Sequence, residues 1–378
     1  MGMPAGRLRV GIIAPPWVPV PPPSYGGTEL VLDVLARGLA QRGHDVVLFT
    51  TGDSTCDVER AWLFETADSD LIGTTLVELR HTAAAYEALA ECDIIHDHTL
   101  AGLFIAQLHP HLPVVTTNHG PFNHHLADLY RRTAPNVPII AISRDQAQRA
   151  PDDVRVATVI HHGLDLGRYT IGHDADDYLL SLGRMNPDKG IDRAIVVARR
   201  AGLPLVIAAK MREPAEKQYF EHVIQPLLGD GITYVGEVGH AEKVELLQSA
   251  RALINPIRWP EPFGLVMIES MACGTPVIAT PQGAAPEIVT PGTGQVASST
   301  FGLVEAVRTI GELNRPHCRR HAEAEFSMER MTRDHEAFYH AAIARHAEQL
   351  PHRPLPTTDD LVSTDADGPS PDLATSRR

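Results

Sequence analysis

No apolar run in this chain is long enough to cross a bilayer, and the N-terminus lacks the charged start and apolar core of a secretory signal. Its first apolar run, Leu8 to Ala14, is short and leads straight into prolines. Cysteine is scarce. Cys56, Cys92, Cys273 and Cys318 have neither metal-site nor disulfide-scaffold spacing, and the apolar neighbours of Cys92 and Cys273 predict buried thiols. A cytoplasmic, reducing compartment fits that usage. There is no basic stripe to neutralise a phosphate backbone, and a net charge of −14 argues against nucleic acid as a partner. A phosphorylated small ligand is still allowed, because a few local cations suffice for it. The dinucleotide fingerprint G-x-G-x-x-G is missing after the first predicted strand, which disfavours a nicotinamide oxidoreductase.

What is present suffices for two ordinary domains: 378 residues, of which 43% are apolar. After a loose leader (residues 1–7), Leu8 to Ala14 reads as a strand. Six prolines between 15 and 23 then enforce an extended loop. Gly26-Gly27 follow, then an amphipathic helix from about Thr28 to Arg42 with Thr28 as its cap, then a strand from Asp45 to Thr50. The two glycines allow close backbone approach to a ligand, and a plain turn accounts for them almost as well. Residues 51–76 read as irregular loop on the acceptor side. Further strands are expected at Asp93–His96, Pro113–Thr117, Pro138–Ile142 and Val154–Ile160. The apolar rhythm then lapses between Asp165 and Asp177 and resumes with strands at Tyr178–Leu182, Leu205–Ala209, Ile232–Val235, Ala252–Asn255 and Val277–Ala279. The boundaries that follow are 1–172 and 173–326 for two Rossmann-like α/β domains, 327–350 for a helix capped by Ser327, and 351–378 for a disordered tail.

The stretch Arg258-Trp259-Pro260-Glu261-Pro262-Phe263-Gly264-Leu265-Val266-Met267-Ile268-Glu269 carries the most chemistry. A buried strand leads into a tight loop and then into a helix. The amides after Phe263, those of Gly264 and Leu265 first, are free to face an anion above the strand end. Glu261 in the loop and Glu269 one turn into the helix bracket those amides with acceptors for hydroxyl groups. A phosphorylated, polyhydroxylated ligand such as a sugar nucleotide satisfies both features; a surface loop and a solvated helix face account for the two carboxylates equally well.

A second cluster, Gly183-Arg184-Met185-Asn186-Pro187-Asp188-Lys189-Gly190, sets Arg184 at a strand end and Lys189 at a helix start, where both can meet a diphosphate. His119 follows a strand and has the near-neutral titration that suits orienting a hydroxyl. Metal ligation is not expected. His96-Asp97-His98, His124-His125 and His161-His162 lack a third ligand at diagnostic spacing, and Asp68-Ser69-Asp70 and Asp174-Ala175-Asp176 read as solvated turns. Asp97 can cap a helix beginning at Thr99, and His98 can line the acceptor side. Gly283, in Thr280-Pro281-Gln282-Gly283-Ala284-Ala285-Pro286-Glu287, could offer backbone donors to phosphate or sugar oxygens, with the methyls of Ala284 and Ala285 narrowing the pocket.

Together these segments resemble family 4 retaining glycosyltransferases. The Glu261…Glu269 pair resembles the family's E-x7-E motif, Arg184…Lys189 its R-x4-K element, and the likeness runs from about residue 8 to 345. The resemblance implies the GT-B fold: two Rossmann-like domains facing across a cleft, with a C-terminal helix crossing back to the first. It implies transfer of a sugar from a UDP-, GDP- or dTDP-sugar to a hydroxyl of a small molecule or glycan, with retained configuration and no metal. Arg184 and Lys189 would hold the diphosphate, Glu269 the ribose, Glu261 and His119 the sugar. Gly26, Gly27, Phe263, Gly264 and Leu265 would line the donor. No stable membrane insertion is expected, and a homo-oligomer is possible. The competing readings are a GT-B-fold epimerase or hydrolase, and a non-catalytic nucleotide-sugar-binding protein.

Overall fold

The computed structural model describes residues 6–24, 26–172 and 175–349. Tyr25, linker residues His173 and Asp174, Leu350 and the tail 351–378 lie outside the described residues, as does the start of the leader. Two all-parallel sheets dominate. The first contains β1 (Arg9–Ile13), β2 (Asp45–Thr50), β3 (Glu59–Trp62), β4 (Ile94–Asp97), β5 (Val114–Asn118), β6 (Ile139–Ala141) and β7 (Val156–Val159), in spatial order β3-β2-β1-β4-β5-β6-β7. The second contains β8 (Leu179–Arg184), β9 (Leu205–Lys210), β10 (Ile232–Gly236), β11 (Ala252–Asn255), β12 (Val277–Ala279) and β13 (Gly294–Val296), in order β10-β9-β8-β11-β12-β13.

Most of these strands are short Val/Ile/Leu/Ala runs buried on both sides, as a parallel sheet covered by helices on each face requires. In the first lobe Val10, Ile12, Leu48 and Val115 pack to one side, and Ile13, Val47, Ile95 and Val114 to the other. The second sheet is divided the same way, with Leu180 and Leu253 facing away from Leu179 and Ile254. Chain order reverses direction between β1 and β4, and again between β8 and β11. Such switch points open a crevice beyond the strands' carboxyl ends.

The C-terminal helix Met328–Gln349 leaves the second lobe and packs on the first, placing Met331 and Tyr339 in the core with Val10 and Ile12. It lies close against helix Gly27–Gln41 because Gly38 has no side chain: a Cβ there would sit 2.8 Å from Met328 Cγ. The lobes are joined by two neighbouring crossings, with Leu164 N donating to Phe326 O (2.8 Å) and Met328 N to Leu164 O (2.8 Å).

Four expectations need correction. Part of the 51–76 loop is strand β3, whose sequence ERAW is partly exposed and without apolar alternation. Beyond the last expected strand, Val277–Ala279, Gly294–Val296 forms a further one, β13, too short to announce itself. A helix His124–Thr133, capped by Asn123, fills a region with no apolar stripe in its sequence. Thr28 is not a cap: helix Gly27–Gln41 starts from Gly26 without a side-chain cap.

Candidate active site

The carboxyl ends of both sheets open onto one cleft of about 850 Å³ between the lobes. Arg184 ends β8, Lys210 ends β9, and Glu237 follows β10; His119, Ile142 and His162 follow β5, β6 and β7. The cleft brings together the ten residues that the family resemblance assigned to the donor and the reaction: Gly26, Gly27, His119, Arg184, Lys189, Glu261, Phe263, Gly264, Leu265 and Glu269. A second cavity of about 380 Å³, between the first sheet and the end of the C-terminal helix, contains none of them.

Local backbone explains the second lobe's wall. After β11 the chain turns through Trp259–Gly264, and Gly264 adopts φ 91, a left-handed conformation that strains any side chain, before helix Leu265–Ala272 begins. That turn places Glu261 over Lys189, and the two form an ion pair. The other carboxylate oxygen of Glu261, Oε2, is buried without a partner among the described residues, so it is ready to accept from a ligand hydroxyl. Deeper in the cleft Glu269 is 3% exposed and accepts from Lys243 Nζ (2.5 Å) and Tyr169 OH (2.9 Å) on the same oxygen, Oε1. Each predicted acidic residue therefore has a cation beside it. Arg184 and Lys210 stand at neighbouring strand ends in register, and Arg184 helps to hold Glu213 below the usual carboxylate range, after the larger effect of Lys210.

On the facing wall, His119 Nε2 and His98 Nδ1 share a hydrogen bond of 2.8 Å, and the His119 ring stacks on His162 at 5.4 Å. Burial drives His119 down to about 4 and His162 well below its ordinary value, so both are neutral at pH 7. His98, expected to line the acceptor side, instead lies one layer behind His119, buried together with His96. His96 spends its two nitrogens on Thr117 Oγ1 (2.8 Å) and Tyr339 OH (2.7 Å), which ties the C-terminal helix to this layer. Asp97 Oδ1 accepts from Thr99 N at 2.7 Å, but this bond closes a turn, and the helix expected from Thr99 begins only at Gly102. Among the described residues no group of three His, Cys, Asp or Glu side chains is arranged to hold a metal ion.

Two further sequence readings are revised. Gly283 and the alanines after it do not line the cleft. Gly283 packs against the Glu261 backbone, Ala284 N donates to Glu261 O (3.1 Å), and Ala284 and Ala285 are fully buried, so the segment props the Glu261 loop from behind. Gly26 gives its space to the protein itself, since a Cβ there would meet Pro22 Cβ at 2.6 Å and Glu29 Oε2 at 3.0 Å. Gly27 faces Leu265 of the opposite lobe. Sequence reasoning missed Lys210, Lys243, Tyr169 and Glu29. Lys210 ends a predicted strand and was findable by its position; Lys243 and Tyr169 reach Glu269 only through tertiary contact.

Two doubly wound lobes whose strand ends face across a cleft, one wall carrying paired cations and carboxylates, define the GT-B class of transferases. The family models agree: "Glycosyl transferases group 1" matches residues 171–323 and "Glycosyltransferase Family 4" matches residues 25–168. The chain is a GT-B-fold glycosyltransferase related to these two families. Among curated relatives, the D-inositol 3-phosphate glycosyltransferase of Mycolicibacterium vanbaalenii is 26% identical over 356 residues, covering 77% of this chain and 79% of that protein. Among solved structures, AviGT4, a glycosyltransferase involved in avilamycin A biosynthesis, superposes with TM-score 0.71 at 27% identity over 89% of this chain and 98% of its own. Anabaena Alr3699/HepE in complex with UDP and glucose shares the fold, with TM-score 0.69 at 17% identity over 89% of this chain and all of its own.

Proposed function

We propose that this enzyme moves a hexosyl group from a nucleoside-diphosphate sugar to a hydroxyl of its acceptor with retained anomeric configuration and without a metal ion. The observation that carries this reading is the convergence of Arg184, Lys189, Glu261 and Glu269 on one wall of the cleft, with His119 opposite. In the reaction the bond from the anomeric carbon to the diphosphate oxygen breaks, and a bond to the acceptor oxygen forms on the same face. The acceptor proton passes to the departing phosphate oxygen. Charge accumulating on that phosphate is met by Arg184 and Lys189, preorganised cations that make a Lewis-acid metal unnecessary. As the donor enters, Lys189 exchanges Glu261 for the diphosphate, and Glu261 turns to a sugar hydroxyl. Glu269, held by Lys243 and Tyr169, accepts from the ribose. His119, neutral and fixed through Nε2 by His98, presents Nδ1 to the sugar. The four buried free thiols fit a reducing, cytoplasmic setting.

The test begins with thermal shift across UDP-, GDP- and dTDP-sugars, followed by NMR assignment of the anomeric configuration in the product of the best donor. An inverted product, or turnover abolished by EDTA and restored by a divalent ion, overturns the corresponding half of the proposal.

A further inference from the structure

The cleft has a second half that donor chemistry does not use. The first lobe lines it with Trp17, Val18, the prolines 21–23, Glu29, Ser69, Asp70 and Ile72. Every Lys and Arg lining the cleft lies at or beyond residue 168, and the lining residues from Trp17 to His162 contribute none. The chain's four lysines (Lys189, Lys210, Lys217 and Lys243) all lie at or beyond residue 189. His119 and His162, which could have supplied positive charge, are kept neutral by burial.

Glu29 is the most telling group. It lies in the first turn of helix Gly27–Gln41, where backbone amides would otherwise attract an external anion. Its carboxyl is 7% exposed, lines the cleft, and has no side-chain partner among the described residues; its own backbone N–H is the donor it uses. The helix end is thus already occupied by the chain's own acid. Burial raises the Glu29 carboxyl to about 7, so near neutral pH it is present in both protonation states and can accept from or donate to a hydroxyl. Around it the surface is apolar: Trp17 is half-buried, and Ile72 is 62% exposed.

We infer that the acceptor is a hydroxyl compound carrying no phosphate or carboxylate, seated with an apolar face on Trp17 and the proline loop and donating hydrogen bonds to Glu29 and Asp70. Arg212, which reaches Ser24 Oγ (2.8 Å) beside the proline loop, is already paired with Glu237, and the first lobe adds no Lys or Arg among the described lining residues. A phosphorylated acceptor would therefore set its charge against Asp70 and the ionised fraction of Glu29, and like-charge juxtaposition of this kind rejects partners. This inference rests on the sugar-transfer reading above, and its test keeps the two separable. The enzyme is first saturated with whichever nucleotide stabilises it; if none does, the transfer reading fails before any acceptor is added. Phenyl β-glucoside and its 6-phosphate, identical apart from the charge, are then titrated onto the nucleotide-bound enzyme by calorimetry. We expect the neutral compound to bind at least about tenfold more tightly, the ratio one unfavourable charge contact produces. In Glu29→Gln that preference narrows to about threefold or less, with the nucleotide shift unchanged. Equal binding of the pair, binding of neither, or preference for the phosphate overturns the inference; an unaltered ratio in Glu29→Gln removes Glu29 as the group that reads acceptor charge.

Discussion

The second lobe brings Arg184, Lys189, Lys210, Arg212 and Lys243 to the cleft, while the first, built on the same doubly wound plan, brings neutral histidines, a tryptophan and prolines. The cations are held by carboxylates of their own lobe: Lys189 by Glu261, Lys243 by Glu269, Arg212 by Glu237. Most of these pairs join residues far apart in sequence, so the lobe's tertiary structure sets the side chains before any ligand arrives, which limits the ordering cost of binding. The first lobe spends its polar residues inward. His81, His96, His98 and His162 are buried there, with His119 half-buried at the cleft wall, and they are joined by His335 of the crossing helix. The contrast shows that one fold prescribes where ligands meet the protein without prescribing their charge. Anion handling is concentrated on one side, and the other is left free to recognise something else.

The largest effect should follow from breaking the cationic wall. Arg184→Ala and Lys189→Ala are each expected to lower kcat by about 10²–10³, as loss of a preorganised charge partner does elsewhere, with circular dichroism unchanged. Near-normal turnover in either removes that residue from the site. Next comes Glu269→Ala, which strands Lys243 and the Tyr169 hydroxyl in a nearly closed site. It should cost about 1–3 kcal/mol of stability by chemical denaturation, with a higher KM for the donor and little change for the acceptor.

Acid should separate the lobes. Burial holds His81, His119 and His335 at about 4, and His96, His98 and His162 well below the ordinary imidazole value. Below pH 6.5 the unfolded chain takes up protons that the folded one refuses, so the stability these groups contribute is complete above pH 6.5 and drains away as pH falls toward 4. Glu29 and Asp97, raised to about 7 by burial, act in the opposite sense between pH 7 and the ordinary carboxylate range, but are outnumbered. Hydrogen exchange at pH 5 should therefore show β4 and β5 opening before β8 and β11; the reverse order contradicts this account. The smallest effect is expected from Arg212→Ala. This exposed side chain reaches across the cleft mouth to Ser24 Oγ (2.8 Å) while paired with Glu237, and its loss should change stability by under about 1 kcal/mol.

The second lobe was also the more legible in sequence. All its strands but β13 announce themselves as isolated Val/Ile/Leu/Ala runs, and Arg184, Lys189, Glu261 and Glu269 stand in or beside the loops that join strand ends to helices, where ligand contacts collect. The first lobe hid more. Glu59–Trp62 pairs with β2 as an outer strand with no apolar pattern to betray it, and His124–Thr133 folds on tertiary contacts made by Ala127 and Tyr130 rather than on a visible stripe. Glu29 looked like an ordinary first-turn acid. Only the path of the proline loop, which lays Pro22 over Gly26, turns its carboxyl into a buried group. His98 was misplaced for a related reason: alternation along a strand says which face a side chain takes, and not how many layers cover it.

The paired crossings between the lobes, Leu164 bonded to both Phe326 and Met328, have a mechanical corollary. Because the polypeptide returns alongside its own outward path, the two halves are hung on a two-stranded pin, and gaping of the mouth must swing about that line instead of twisting freely. Both extremities of the described fold ride on the same leaf of this door. A fluorophore placed near Arg7 and another after Gln349 would thus keep a fixed separation as the molecule opens, whereas either one paired with a label on helix His240–Ser249 would report the swing.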